Sequence, residues 1–119
     1  MRAELKSLHS PDVDLESYSP ADPLCFGFLL QASIGPEGQG GAESFDIQVC
    51  TPRWLIDQHD RMGSMDVIFG THMMIVFSYD LHKIRGALER YCKRCVGDDW
   101  QKIAIKLARI GAWEYEDYH

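Results

Sequence analysis

No stretch of this 119-residue chain approaches the ~20 consecutive apolar residues that a membrane-crossing helix needs. The start, MRAELKSLHS, mixes acid and base around no apolar segment. It does not read as a signal peptide, and the chain is expected in the cytoplasm without a membrane partner. Chemical signatures are equally scarce: there is no serine elbow, no second CxxC and no HxxxH. The one glycine-rich run, Gly35–Gly41, joins two strand-like segments and carries no lysine, so it reads as a hairpin loop rather than a phosphate loop. Positive charge is short in the first half, where residues 1–60 hold ten carboxylates against three basic side chains. Such a half repels nucleic acid and attracts basic proteins. Residues 61–119 are nearly balanced, with nine basic and eight acidic side chains, and the whole chain carries a net charge of −6.

What is present is an ordinary globular composition, 45% hydrophobic and 25% charged. Its length predicts a single domain over residues 1–119, burying roughly two-thirds of the surface of the unfolded chain. Four cysteines without an export signal are expected to be reduced thiols, packed as small hydrophobes.

The densest apolar run, His72–Tyr79 (HMMIVFSY), is apolar on both faces and predicts a central strand covered above and below. Upstream, residues 2–8, 26–34 and 44–50 alternate and predict an antiparallel meander. Between the first two lies a long acidic loop, Ser10–Pro23, pinned by Val13, Leu15 and Tyr18. Thr51-Pro52 starts a short helix over Pro52–Asp57, with Gln58–Asp66 as loop. Two helices follow the central strand, one with Leu81, Ile84, Leu88, Cys92 and Cys95 on its inner stripe and Gly97 as its stop. The other is capped by Asp98 or Asp99, faces inward through Trp100, Ile103, Ala104 and Leu107, and ends at Gly111. The tail AWEYEDY predicts a closing strand. The expected fold is α+β: an antiparallel sheet of about five strands with two C-terminal-half helices on one face.

Candidate chemistry is thin. Cys92 and Cys95 form a CxxC at a helix C-terminus, where the dipole opposes thiolate, so core packing is the preferred reading over a redox or metal site. Asp57, His59 and Asp60 could orient a general base but have no nucleophile beside them. The basic helix face from Lys83 to Arg94 is interrupted by Glu89 and reads as solvated.

Read end to end, the stretches DPLCFGFLLQASIGPEG, ESFDIQVCTPRWL, FGTHMMIVFSYD and YCKRCVGDDWQKIAIKLARIGAWEYEDY, with the start MRAELKSLHSPD, resemble the immunity protein 8 family. That family is one of the immunity groups of bacterial polymorphic-toxin and contact-dependent inhibition systems. The resemblance covers almost the whole chain. It implies a small non-enzymatic protein, without cofactor or metal, that neutralises a cognate toxin, often a nuclease, by binding it. The family carries no catalytic residues over. Charge and exposure nominate the toxin-binding side chains: Asp12, Asp14 and Glu16 in the loop, Asp46 in the meander, and Glu114 and Glu116 in the tail. Two other functions remain open: a thiol-redox or metal-binding protein using Cys92 and Cys95, and a structural adaptor or small-ligand binder. Oligomeric state is left open.

Overall fold

Two long strands carry the molecule, β2 (Gly27–Pro36) and β3 (Glu43–Cys50). The computed structural model describes residues 1–62 and 67–116. Phe28, Leu30, Ala32 and Ile34 of β2 and Phe45, Ile47 and Val49 of β3 are each at most 2% exposed, so the alternation in the sequence is a true inside–outside alternation. The strands pair antiparallel with Leu30 opposite Ile47. On the other flank of β2, β1 (Ala3–His9) also pairs antiparallel, with a bulge between Leu5 and Ser7. One extra residue there lets both Leu5 and Leu8 pack on the core, although their spacing would put them on opposite faces.

The free flank of β3 is shared by two short strands. β4 (Met73–Ile75) pairs parallel with Gln48–Cys50, and β5 (Ala112–Trp113) pairs antiparallel with Phe45–Asp46. The sheet is therefore mixed, not purely antiparallel. The central position expected for His72–Tyr79 is also overturned: this run is an edge, with Ile75 51% and Phe77 74% exposed. The cause is topological. After helix α1 (Pro52–Met62) the chain re-enters the sheet beside Gln48, upstream of the Cys50 end that it left, so β4 runs parallel to β3 and pairs over only three residues. The closing strand is likewise only two residues long and passes into a turn. Asp66, Asp117, Tyr118 and His119 lie outside the described residues.

Among the described residues three helices complete the fold. α1 runs past Asp57 because Gln58–Arg61 contain no breaker, their polarity marking the outer side of a helix and not a loop. Its cap is buried Thr51, whose hydroxyl accepts from the Trp54 N–H at 3.3 Å and the Phe26 N–H at 3.2 Å. Trp54 lies over Gly27, where an added Cβ would stand 2.4 Å from the indole. α2 (Leu81–Arg94) is capped by Asp80 and buries Ile84, Leu88 and Cys92. It stops before Gly97, because Cys95 is extended, its carbonyl accepts from Ala3, and Val96 bridges Arg2. α3 (Trp100–Leu107), capped by Asp99, buries Ile103, Ala104 and Leu107 and ends in a turn short of Gly111. A ring cluster of Tyr18, Phe26, Phe28 and Tyr79, with centroids 4.9 to 6.3 Å apart, closes the core at the β2 N-terminus.

Candidate functional site

The nominated carboxylates fall in two groups, and the fold explains both. β1 stops at His9, opposite Gln31, and so leaves the next outward N–H of β2, that of Leu29, without a strand partner. Asp12 replaces the strand: its Oδ2 accepts that N–H at 2.8 Å. Upstream, the buried Ser10 hydroxyl accepts from the Asp12 and Val13 N–H groups. Asp14 accepts from the Glu16 N–H in a local turn. Between them Leu15 is buried, its carbonyl accepting from the Tyr79 hydroxyl at 2.5 Å. The loop is thus tied down, with Asp14 and Glu16 exposed on it.

The second group surrounds Ser44. Glu114 accepts the Ser44 N–H at 2.7 Å through Oε1, while its own N–H donates to the Ser44 carbonyl. Asp46 receives the Ser44 hydroxyl at 3.3 Å and faces Ala112 across the β3–β5 pairing. Exposed Glu116 turns back through its N–H to the Trp113 carbonyl. Leu29 pairs with Gln48 and Ser44 with Ser33, so the two groups sit at different levels and on opposite flanks of the β2–β3 pair.

Beside the second group lies a feature that sequence spacing did not reveal. A shallow depression of about 350 Å³ is lined by Glu43, Trp100, Gln101, Trp113 and Tyr115. The Trp100 indole N–H donates to Glu43. Glu43 is 57 residues from Trp100, and nothing local in either segment announces the contact.

Cys50, Cys92 and Cys95 are buried. Burial first, then the Cys95 thiol and the Glu89 charge, push Cys92 up to about 12. Burial also raises Cys95, against the opposing pull of Lys106, Arg109 and Arg94. A thiol kept protonated is a poor nucleophile and a poor metal ligand. Among the described residues no group of three His, Cys, Asp or Glu side chains is placed to hold a metal ion. In the Asp57–His59–Asp60 run, Asp57 accepts from the Cys25 thiol at 3.1 Å, and His59 Nδ1 lies 3.5 Å from Asp60.

These placements separate structural acids from free ones. Asp12→Ala is expected to cost about 1–2 kcal/mol, since it strips a charged acceptor from a sheet N–H. Asp14→Ala, which loses only an exposed local bond, should stay within about 0.5 kcal/mol. Urea denaturation of the two variants distinguishes them, and equal midpoints would show that Asp12 does not close the ladder.

A family profile described as Immunity protein 8 matches residues 3–118, nearly the whole chain. No curated protein and no solved structure matches it. No helix among the described residues is long and apolar enough to cross a membrane.

Proposed function

Because this chain belongs to the immunity protein 8 family and is by that membership an immunity protein directed against a toxin, we propose that it acts by tight stoichiometric binding to a basic, nuclease-type toxin domain in the cytoplasm. The match over residues 3–118 carries this reading. An inhibitor of that kind needs a pre-organised surface and no chemistry of its own. Two features support it: a tied-down acidic loop, and an acidic, aromatic-lined corner at Glu43, Trp100, Trp113 and Tyr115. An interface on the order of 1,600 Å² with aromatic anchors at its centre is enough for high affinity. The Cys92/Cys95 redox or metal alternative has the buried, protonated thiols against it, and no single observation favours an adaptor.

We assign the toxin-facing role to Asp12, Asp14, Glu16, Asp46, Glu114 and Glu116. Asp12 and Glu114 accept N–H groups of the sheet, whereas Asp14 accepts only within its own turn, so the steering test leaves the first two in place. The variant combines Asp14→Asn, Glu16→Gln, Asp46→Asn and Glu116→Gln. It should melt close to the wild type, because Asp14, Glu16 and Glu116 are exposed charges that contribute little to stability, and Asp46→Asn keeps an acceptor for the Ser44 hydroxyl. Its association with the cognate toxin domain should slow by about 10–100-fold at low salt, and its rate should lose most of its salt dependence. Stopped-flow or surface-based kinetics at two ionic strengths measure both. Wild-type rates at both would reduce the acidic groups to a solubility device. Growth rescue of cells expressing that toxin, given by the wild-type chain, tests the immunity function itself.

A further inference from the structure

The edge of the sheet opposite the acidic loop is built unlike the rest of the surface. His72 accepts from the Gln48 N–H at 2.8 Å, and the Val76 N–H donates to Cys50 at 2.9 Å. In a parallel ladder these bonds alternate along the strand. Residues 72, 74 and 76 therefore turn toward β3, while the N–H and C=O groups of Met73 and Ile75 point away from it. Among the described residues no strand pairs with that edge.

Apolar surface lies along the row. Toward the helices, two adjoining grooves of about 290 and 230 Å³ share Met74 and Ala87 and run between β4 and α2, from Phe77 to Tyr91 and Ile110. Ile75 and Phe77, which line the first groove, are 51% and 74% exposed, and Phe69, just upstream, is 87% exposed. Native sheets commonly protect such edges with charge, proline or a covering element. Between His72 and Tyr79 the sequence has no Asp, Glu, Lys, Arg or Pro, and no strand among the described residues covers the edge; its protection is the shortness of β4, three residues.

We propose that the β4 edge and its groove receive an extended, carboxylate-bearing apolar segment of the toxin, which adds a strand to the sheet. This rests on the immunity reading. The exposed backbone groups supply the ladder, and the groove takes every second side chain of the added strand. Charge selects the occupant. Lys83 lines one end of the groove, and Arg94 lies over the Tyr91 ring, 5.6 Å from its centroid, at the other. Asp80, the carboxylate on the rim, is engaged as the α2 cap by the Lys83 N–H. Lys83 and Arg94 outnumber Asp80, so the rim is net positive and complements an acidic segment. A second copy paired edge to edge would bring Lys83 and Arg94 of α2 beside their own copies, a like-charge contact that disfavours self-association.

The probe is the cognate toxin domain, catalytically inactivated. Phe77→Asp and Ile75→Asp alter side chains that are at least half exposed, so melting should change little; if Ile75→Asp unfolds, Phe77→Asp carries the test alone. Each is expected to weaken binding at least 100-fold through faster dissociation. In the wild-type complex, hydrogen exchange at the Met73 and Ile75 amides should slow at least tenfold. Wild-type affinity in folded Phe77→Asp, or unchanged exchange at both amides, overturns the proposal while leaving the immunity function standing. A wild-type chain that sediments as a dimer, with Phe77→Asp monomeric, also overturns it, by making the occupant a second copy. A wild-type chain that does not bind the toxin at all removes the immunity reading and this one together.

Discussion

Truncating Trp113 to alanine is expected to remove about 3–5 kcal/mol of stability. That is a large part of the ~5–15 kcal/mol that holds a domain together. The residue comes from a strand only two residues long, yet it is the point where the end of the chain is fastened to the sheet. Its ring is 7% exposed and stacks on Phe45 at 6.3 Å with planes 9° apart, while Tyr115 meets it edge-on at 6.4 Å. Just before it, Gly111 lets the backbone cross the sheet closely: a Cβ there would lie 2.8 Å from that of Phe45. A Trp113 cavity would therefore open against the side chain at the centre of β3. Trp113→Phe should cost no more than about 1 kcal/mol, because the stack survives and the lost indole N–H has no protein partner among the described residues. Trp100, expected from the sequence to be largely buried, is half-buried, so its truncation should have the smaller effect. Chemical denaturation followed by circular dichroism ranks the three. A wild-type midpoint for Trp113→Ala would mean that β5 does not hold α3 to the sheet.

Which elements could be read from the sequence follows from which signals are local. β2 and β3 declare themselves because their alternation is enforced by a buried face, and α2 and α3 because Asp80 and Asp99 stand one residue ahead of their apolar stripes. His72–Tyr79 misleads for a physical reason. An apolar run on both faces is equally what a covered central strand needs and what an edge left for another surface needs, and periodicity cannot separate them. Where β1 ends, and hence that Asp12 must close the ladder at Leu29, depends on a bulge that no residue type marks. The acidic corner is still further from view. Glu114 reaches Ser44 across 70 residues, and Glu43 reaches Trp100 across 57. Composition therefore exposed the excess of acid, but not which acids are free to meet a partner and which already serve the backbone. The partner's side of the question was visible only through the family resemblance, since the chain carries no chemical motif to announce a role.

Raising the pH from about 9 to about 12 is expected to cost up to about 4 kcal/mol through Cys92 alone. Below the ordinary thiol value of 9.0 the side chain is protonated in both folded and unfolded chains, and its contribution is fully present. Above it the unfolded chain releases the proton. The native chain keeps it until about 12, because the thiol is 1% exposed between α2 and the sheet, where burial opposes charge. Each pH unit in that window favours the unfolded state by about 1.4 kcal/mol, so the stabilisation is lost as pH rises toward the folded value. Cys50 and Cys95, raised by burial, and Tyr18 and Tyr79, raised first by burial, push in the same direction, so total stability should fall faster than one thiol explains. Cys92→Ala isolates the one group. Near pH 7 it should be less stable than wild type by about 1–2 kcal/mol, the cost of the small cavity. Through pH 9–12 that difference should shrink and then reverse, because the variant has no proton to lose there. Paired denaturation curves at half-unit pH steps measure the difference directly. A constant gap from pH 7 to pH 12 would mean that the native thiol titrates as freely as an unfolded one. The Cys92–Cys95 pair would then be open to solvent and to the redox or metal chemistry that its burial otherwise denies it.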